Sequence, residues 1–388
     1  MKKKNDNSRL LYSPRTDRQQ EWLWFLGIFL AAVFFSWWYG IMLGQSQWKL
    51  FDFYLNGTGR SAVVVGQSTD TTDSTADNTV VQPVSSPYRL LDGLNVGADK
   101  AHFWPYAVMI ENLLTVRPQS GLSQASVVYE ALAEGGSTRF MAVFDPSEKI
   151  PELMPVRSAR PYYLEWASEY GVLYAHAGGS PKALTVIREI PDFHDLDALS
   201  SNSKYFWRDT SKAAPHNLVT SSDKMNFALR DKGLLDKLAD FSTWIFKDEA
   251  ALADRGDDGK KVTFNFSSGL TYKVEFVYNQ AENVYLRFNA GQPHLDKNTN
   301  QQIKVKNVIV QLTPEPELDG GKGRLDIYVG GEGKAWVFRD GQAIEAVWKK
   351  ATRTDRTRFY DLNGQEIQLD RGNTWIHVIS KTQEVTYQ

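Results

Sequence analysis

Residues 127–144 read VVYEALAEGGSTRFMAVF. Two runs rich in Val, Tyr, Phe and Met flank Gly135 and Gly136, the pattern of two strands folded on a short glycine turn. A two-residue turn at the glycines sets Glu134 opposite Ser137, Leu132 opposite Arg139 and Glu130 opposite Met141. Opposed residues share a face, so this register places Arg139 diagonal to both Glu130 and Glu134.

Working outward, AVMIEN (107–112) is a short apolar run ending in a turn-type residue, and VLYAHA (172–177) is a buried strand. Between them, residues 161–170 predict a helix with Pro161 in its first turn. Gly178-Gly179 then turn the chain, Ser180-Pro181 open a second helix to about Glu189, and Ser222 caps a third running to Lys232. Strands and helices this mixed point to an α/β or α+β domain over residues 88–247. From about Gly259 the texture becomes short alternating strands, among them VYLRFN (284–289), AWVFRDG (335–341) and TWIHVIS (374–380). Asp340-Gly341 and Asn363-Gly364 are two-residue hairpin signals. Residues 259–388 are therefore a β-rich antiparallel part. The charged stretch 248–260 bounds it, and it either stands as its own domain or adds strands to the first sheet.

Upstream, residues 22–44 read WLWFLGIFLAAVFFSWWYGIMLG without a charge, long enough to cross a ~30 Å hydrocarbon core, with aromatic rings at both ends. Lys2, Lys3, Lys4, Arg9, Arg15 and Arg18 precede it. The positive-inside bias thus predicts a single-pass transmembrane helix, with residues 1–21 a cytoplasmic basic tail and the C-terminal body extracytoplasmic, at the cell membrane. Residues 45–87 read as a flexible linker, rich in Ser, Thr and Asp over 57–87. The chain has 388 residues, a formal charge of −2 and no cysteine. That balance gives no pull toward nucleic acid, and the lack of cysteine removes thiolate metal sites, thiol nucleophiles and the lipid-attachment cysteine of a lipoprotein.

RPQSGLSQASVVYEALAEGGSTRF (117–140), PVRSARPYYLEWASEYGVLYAHAGGSPKAL (155–184) and APHNLVTS (214–221) together resemble the YerB-like family of bacterial envelope proteins, built on a domain of unknown function. GKAWVFRDGQAIEAVW (333–348) and NTWIHVI (373–379) extend the resemblance toward the C-terminus. It implies a layered α+β fold with a β-rich C-terminal part and an extracytoplasmic location, but no activity. Family members are often lipoproteins, whereas a helix is the expected anchor here.

Four groups of residues are candidates for chemistry. Glu130 and Glu134 would act as acid and base beside Arg139, or form a cross-strand ion pair. Arg157, Ser158 and Arg160 precede a helix and would hold a carboxylate or phosphate; the plainer reading has Ser158 as cap and the arginines paired with Glu130 or Glu134. His176 and Ser180 flank a glycine turn that lets a ligand approach a helix start; Ser180 is more simply a helix cap, and His176 is either a satisfied core histidine or a site residue. His216 and Asn217 lie in a polar loop, where binding residues concentrate. No HExxH or close His pair is present, so no metal and no cofactor are expected. The basic run Lys349, Lys350, Arg353, Arg356 and Arg358 reads as a solvated β surface. The leading expectation is an envelope module that binds an anionic ligand, a cell-wall component or a protein partner. The alternative is a cell-wall hydrolase or transferase using the paired carboxylates.

Overall fold

The computed structural model describes residues 86–318 and 322–388, all within one compact unit, Val81–Gln388. The basic tail 1–21, the apolar stretch 22–44 and nearly all of the linker 45–87 lie outside the described residues. Among those described, no helix is long and apolar enough to cross a membrane.

The fold is α+β, with few helices and many strands. Strands β1 (Tyr106–Glu111), β2 (Val127–Leu132), β3 (Thr138–Phe144), β4 (Leu173–His176) and β5 (Asp195–Asp197) come from the first half of the body. The second half supplies β6 (Lys261–Asn265), β7 (Lys273–Asn279), β8 (Val284–Asn289), β9 (Asn307–Thr313), β10 (Gly331–Arg339), β11 (Gln342–Lys350), β12 (Arg358–Tyr360), β13 (Thr374–Ser380) and β14 (Val385–Tyr387). A ten-stranded sheet runs β12-β11-β10-β9-β13-β2-β3-β1-β4-β5. The alternative left open by the sequence is thereby decided: the later strands extend the first sheet, and β13 lies parallel to β2, with Glu130 beside His377. A second sheet, built on β8-β7-β6-β14, packs over it.

Both faces of the main sheet are covered, which is why its central strands are almost continuously apolar. Val128, Phe140, Val310 and Trp375 face the second sheet and helix α3 (Ser222–Asp231), whereas Tyr129, Met141, Ile309 and Ile376 face helices α1 (Pro161–Ser168) and α2 (Pro181–Glu189). Asp340-Gly341 form the expected two-residue turn, with Arg339 paired to Gln342 and both turn residues at positive φ, 51° and 67°. Asn363-Gly364 do not: the turn there spans Asp361 to Gln365, with Tyr360 bridged to Glu366. The cap of α3 is Ser221, one residue before the expected Ser222, accepting from the Lys224 N–H.

The hairpin needs a larger correction. Leu132 pairs with Thr138, Ala131 with Arg139 and Glu130 with Phe140. The connection is a 3₁₀ turn at Glu134–Gly136 held by Ser137 N–H to Glu134 O, not a two-residue turn. A one-residue change of register moves a side chain to the other face. Glu130 therefore faces the second sheet while Arg139 faces the helices.

The basic run at 349–358 also departs from expectation, because Lys350 and Arg356 are buried. Lys350 Nζ lies 3.0 Å and Arg356 Nη1 3.6 Å from the carboxylate of Glu169, itself buried. Arg356 stacks on Tyr170, 3.5 Å from the ring centroid.

Candidate functional site

The segment 156–159 wedges between the C-terminal ends of the parallel strands β1 and β4. Arg157 N–H donates to Met109 O, and Arg157 O accepts from Ala177 N–H. Crevices beyond the carboxyl ends of parallel strands are where α/β sheets gather ligands. Here the wedge delivers Arg157, Arg160 follows it at the N-cap of α1, Arg139 is the second residue of β3, β1 ends with Glu111, and the hairpin turn supplies Glu134.

These side chains form two groups, each centred on a carboxylate: Glu111 with Arg157 and His216, and Glu134 with Arg139 and Arg160. His216 Nδ1 lies 2.6 Å from Glu111 Oε2, and Arg157 Nε lies 2.9 Å from Glu111 Oε1. Arg139 Nη2 lies 3.5 Å from Glu134 Oε2, and Arg160 pairs with Glu134 Oε1. Arg139 Nη1 donates to Ser158 O at 2.7 Å. Burial would raise the Glu134 carboxyl, but Arg160 and Arg139 outweigh it and hold the group below its usual range. Burial, and then the neighbouring Arg139, pull Arg160 downward. Three guanidinium groups thus stand against two carboxylates. The Nε–H of Arg139 is buried with no hydrogen-bond partner.

The sequence candidates divide accordingly. Glu134, Arg139, Arg157, Arg160 and His216 converge, and Ser158 joins through its carbonyl only. Ser158 does not cap α1, whose N-cap is Arg160 with no side-chain cap bond. His176 is fully buried, its ring nitrogens 2.8 Å from Gly178 O and 2.6 Å from Asp195 Oδ1, so it ties β4 to β5. Ser180 caps α2 through Ala183 N–H; replacing it by alanine is expected to cost about 1 kcal/mol in thermal unfolding, with no change at the arginine cluster. Asn217 orders its own loop, accepting from Arg208 and donating to Asp209 O and Lys212 O. Glu111 was missed, although a carboxylate closing an apolar strand is a readable signal.

Glu130 is apart from this cluster, on the opposite face of the sheet, so it and Glu134 do not form a pair of catalytic carboxylates. Its oxygens accept from Asn112, Thr138 and Arg287 at 3.0, 2.7 and 2.7 Å, and His377 Nδ1 lies 3.0 Å away. Arg287 Nη1 also bonds His294 Nδ1, and His294 Nε2 lies 2.8 Å from Gln119 Oε1. Because guanidinium can only donate, His294 accepts at Nδ1 and donates from Nε2, the neutral form that burial also favours. Among the described residues no group of three or more His, Asp or Glu is arranged to hold a metal ion.

Residues 91–235 match the N-terminal domain, and residues 262–376 the C-terminal domain, of a family described as a protein of unknown function (DUF3048). YerB of Bacillus subtilis (strain 168), whose name describes it as a lipoprotein, is 30% identical over 292 residues, spanning 74% of this chain and 85% of its own. The crystal structure of the B. subtilis YerB protein matches with a TM-score of 0.68 at 28% identity, covering 78% of this chain and 100% of the solved one. Two sequence segments that share one sheet thus define a class of bacterial protein with no assigned activity. The chain belongs to the YerB-like family.

Proposed function

We propose that this chain is a membrane-held, extracytoplasmic envelope protein that binds an anionic ligand at Arg139, Arg157 and Arg160. The uncharged stretch at 22–44 and the lipoprotein name of the B. subtilis relative support a membrane-associated place in the envelope. The observation that carries the ligand class is the excess of guanidinium over carboxylate, with one buried N–H of Arg139 unpaired. A buried donor without an acceptor is costly, and a carboxylate or phosphate oxygen would satisfy it through a charge-assisted bond. Glu111 and Glu134 hold the arginines in place before the ligand arrives, which lowers the ordering cost of binding.

The purified full-length protein would be titrated with glycerol-phosphate polymer, muropeptides and nucleotides. Arg160→Ala is expected to weaken whichever anion binds by about tenfold or more, the effect of losing one charge-assisted contact. An Arg160→Ala protein with every affinity unchanged would remove this site from consideration.

A further inference from the structure

On the helix side of the main sheet, α1 and α2 face residues 314–317 and 326–330 across a cleft of ≈ 490 Å³. None of the arginine-cluster residues lines it. Its charge has the opposite sign: Glu165, Glu315, Glu317 and Asp326 stand against Lys182 and Arg353. Both cations are engaged, Lys182 Nζ at 2.5 Å from Asp326 and Arg353 Nε at 2.9 Å from Glu165. Glu315 and Glu317 have no cationic partner among the described residues. Glu315 accepts from the Thr382 hydroxyl, which fixes its direction without neutralising it.

The remaining lining is apolar and aromatic. Val186 is half-buried and Tyr328 is 56% exposed, over a floor of Ile327 and Val329 that is itself part of the core. We propose that this cleft binds a primary ammonium group carried on an aliphatic stem. The ammonium meets Glu315 and Glu317, and the stem lies along Val186 and Tyr328, as a lysine side chain lies on apolar surface. Tyr328 adds a ring face that favours a cation. An anion would meet like charge, and a neutral chain would desolvate two carboxylates without compensation. The cleft and the arginine cluster share no charged residue, so either can fail without the other.

The test uses the full-length protein in detergent and calorimetric titration with n-pentylamine, with 1-pentanol and pentanoate as controls of equal stem length. Pentylamine is expected to bind saturably with a Kd on the order of 1 mM, and Glu315→Gln with Glu317→Gln to weaken it about tenfold. Neither control should bind saturably. Glu317→Gln alone, at an exposed position, replaces the pair if the double change disturbs folding. The proposal is overturned if pentylamine fails to saturate, if pentanol or pentanoate binds as well, or if the folded variant binds pentylamine as tightly as the original.

Discussion

Glu130→Ala is expected to lower the stability of the folded body by about 3–5 kcal/mol, measured by urea unfolding at pH 7. The change leaves Arg287 fully buried beside Trp375, Phe140 and Phe276 with no counter-charge. It also strips an acceptor from Asn112, Thr138 and His377. An uncompensated charge in such surroundings costs more than the intact pair contributes, because desolvation of the guanidinium is no longer offset. Because Glu130 comes from β2 and Arg287 from β8, the unfolding should remain a single transition at lower denaturant. A loss below about 1 kcal/mol would show that water reaches Arg287 and that the pair is not sealed.

The same carboxylate sets an acid limb. Burial would raise Glu130, but Arg287, His377 and Thr138 together hold it at about 2, below its ordinary 4.5. A carboxyl lowered in the folded state contributes stability that is fully present above about pH 4.5 and is lost as pH falls toward 2. Glu130→Gln should flatten that part of the stability profile.

Glu169→Ala should be of similar size, about 3–5 kcal/mol, on the opposite face of the main sheet. Glu169 closes α1 and accepts from Thr357 N–H and Oγ at 3.0 and 2.6 Å, beside Lys350 and Arg356. Its removal leaves two buried cations, one of them stacked on Tyr170, and frees the backbone at Thr357. Glu169→Gln keeps one oxygen to accept from Thr357 N–H, with its amide donating to Thr357 Oγ instead of accepting from it, and should fall between the alanine variant and the original. If urea unfolding of the alanine variant matched the original, the cluster would be solvated and the ties between the two halves would rest on the strands alone.

Both buried carboxylates join residues far apart in the chain, and this explains what the sequence hid. Continuous apolar runs marked β2, β3 and β4, which are buried on both faces, and the start signals Pro161 and Ser180-Pro181 marked α1 and α2. Ser180 was readable as a cap because its partner is three residues away. The hairpin was readable as a hairpin, but its register depended on turn geometry that two adjacent glycines do not specify. That one residue separated Glu130 from Arg139. Lys350 sits on the face of β11 that also carries Ala346 and Trp348, so alternation pointed inward while the surrounding charges suggested water. Arg287 and His377 lie 157 and 247 residues from Glu130, and no local pattern links them. At the arginine cluster, Arg157 and Arg160 were legible from their density near one helix start, Arg139 from the hairpin that also carries Glu134, and Glu111 only as the last residue of an apolar strand.

Titration of the full-length protein with glycerol-phosphate polymer, followed by the Nε–H resonances of its arginines, tests the ligand site most directly. The Arg139, Arg157 and Arg160 signals should shift together and saturate, while those of the core residues Arg287 and Arg356 stay fixed. Saturable binding that moves only other arginines, with these three unperturbed, would contradict the assignment.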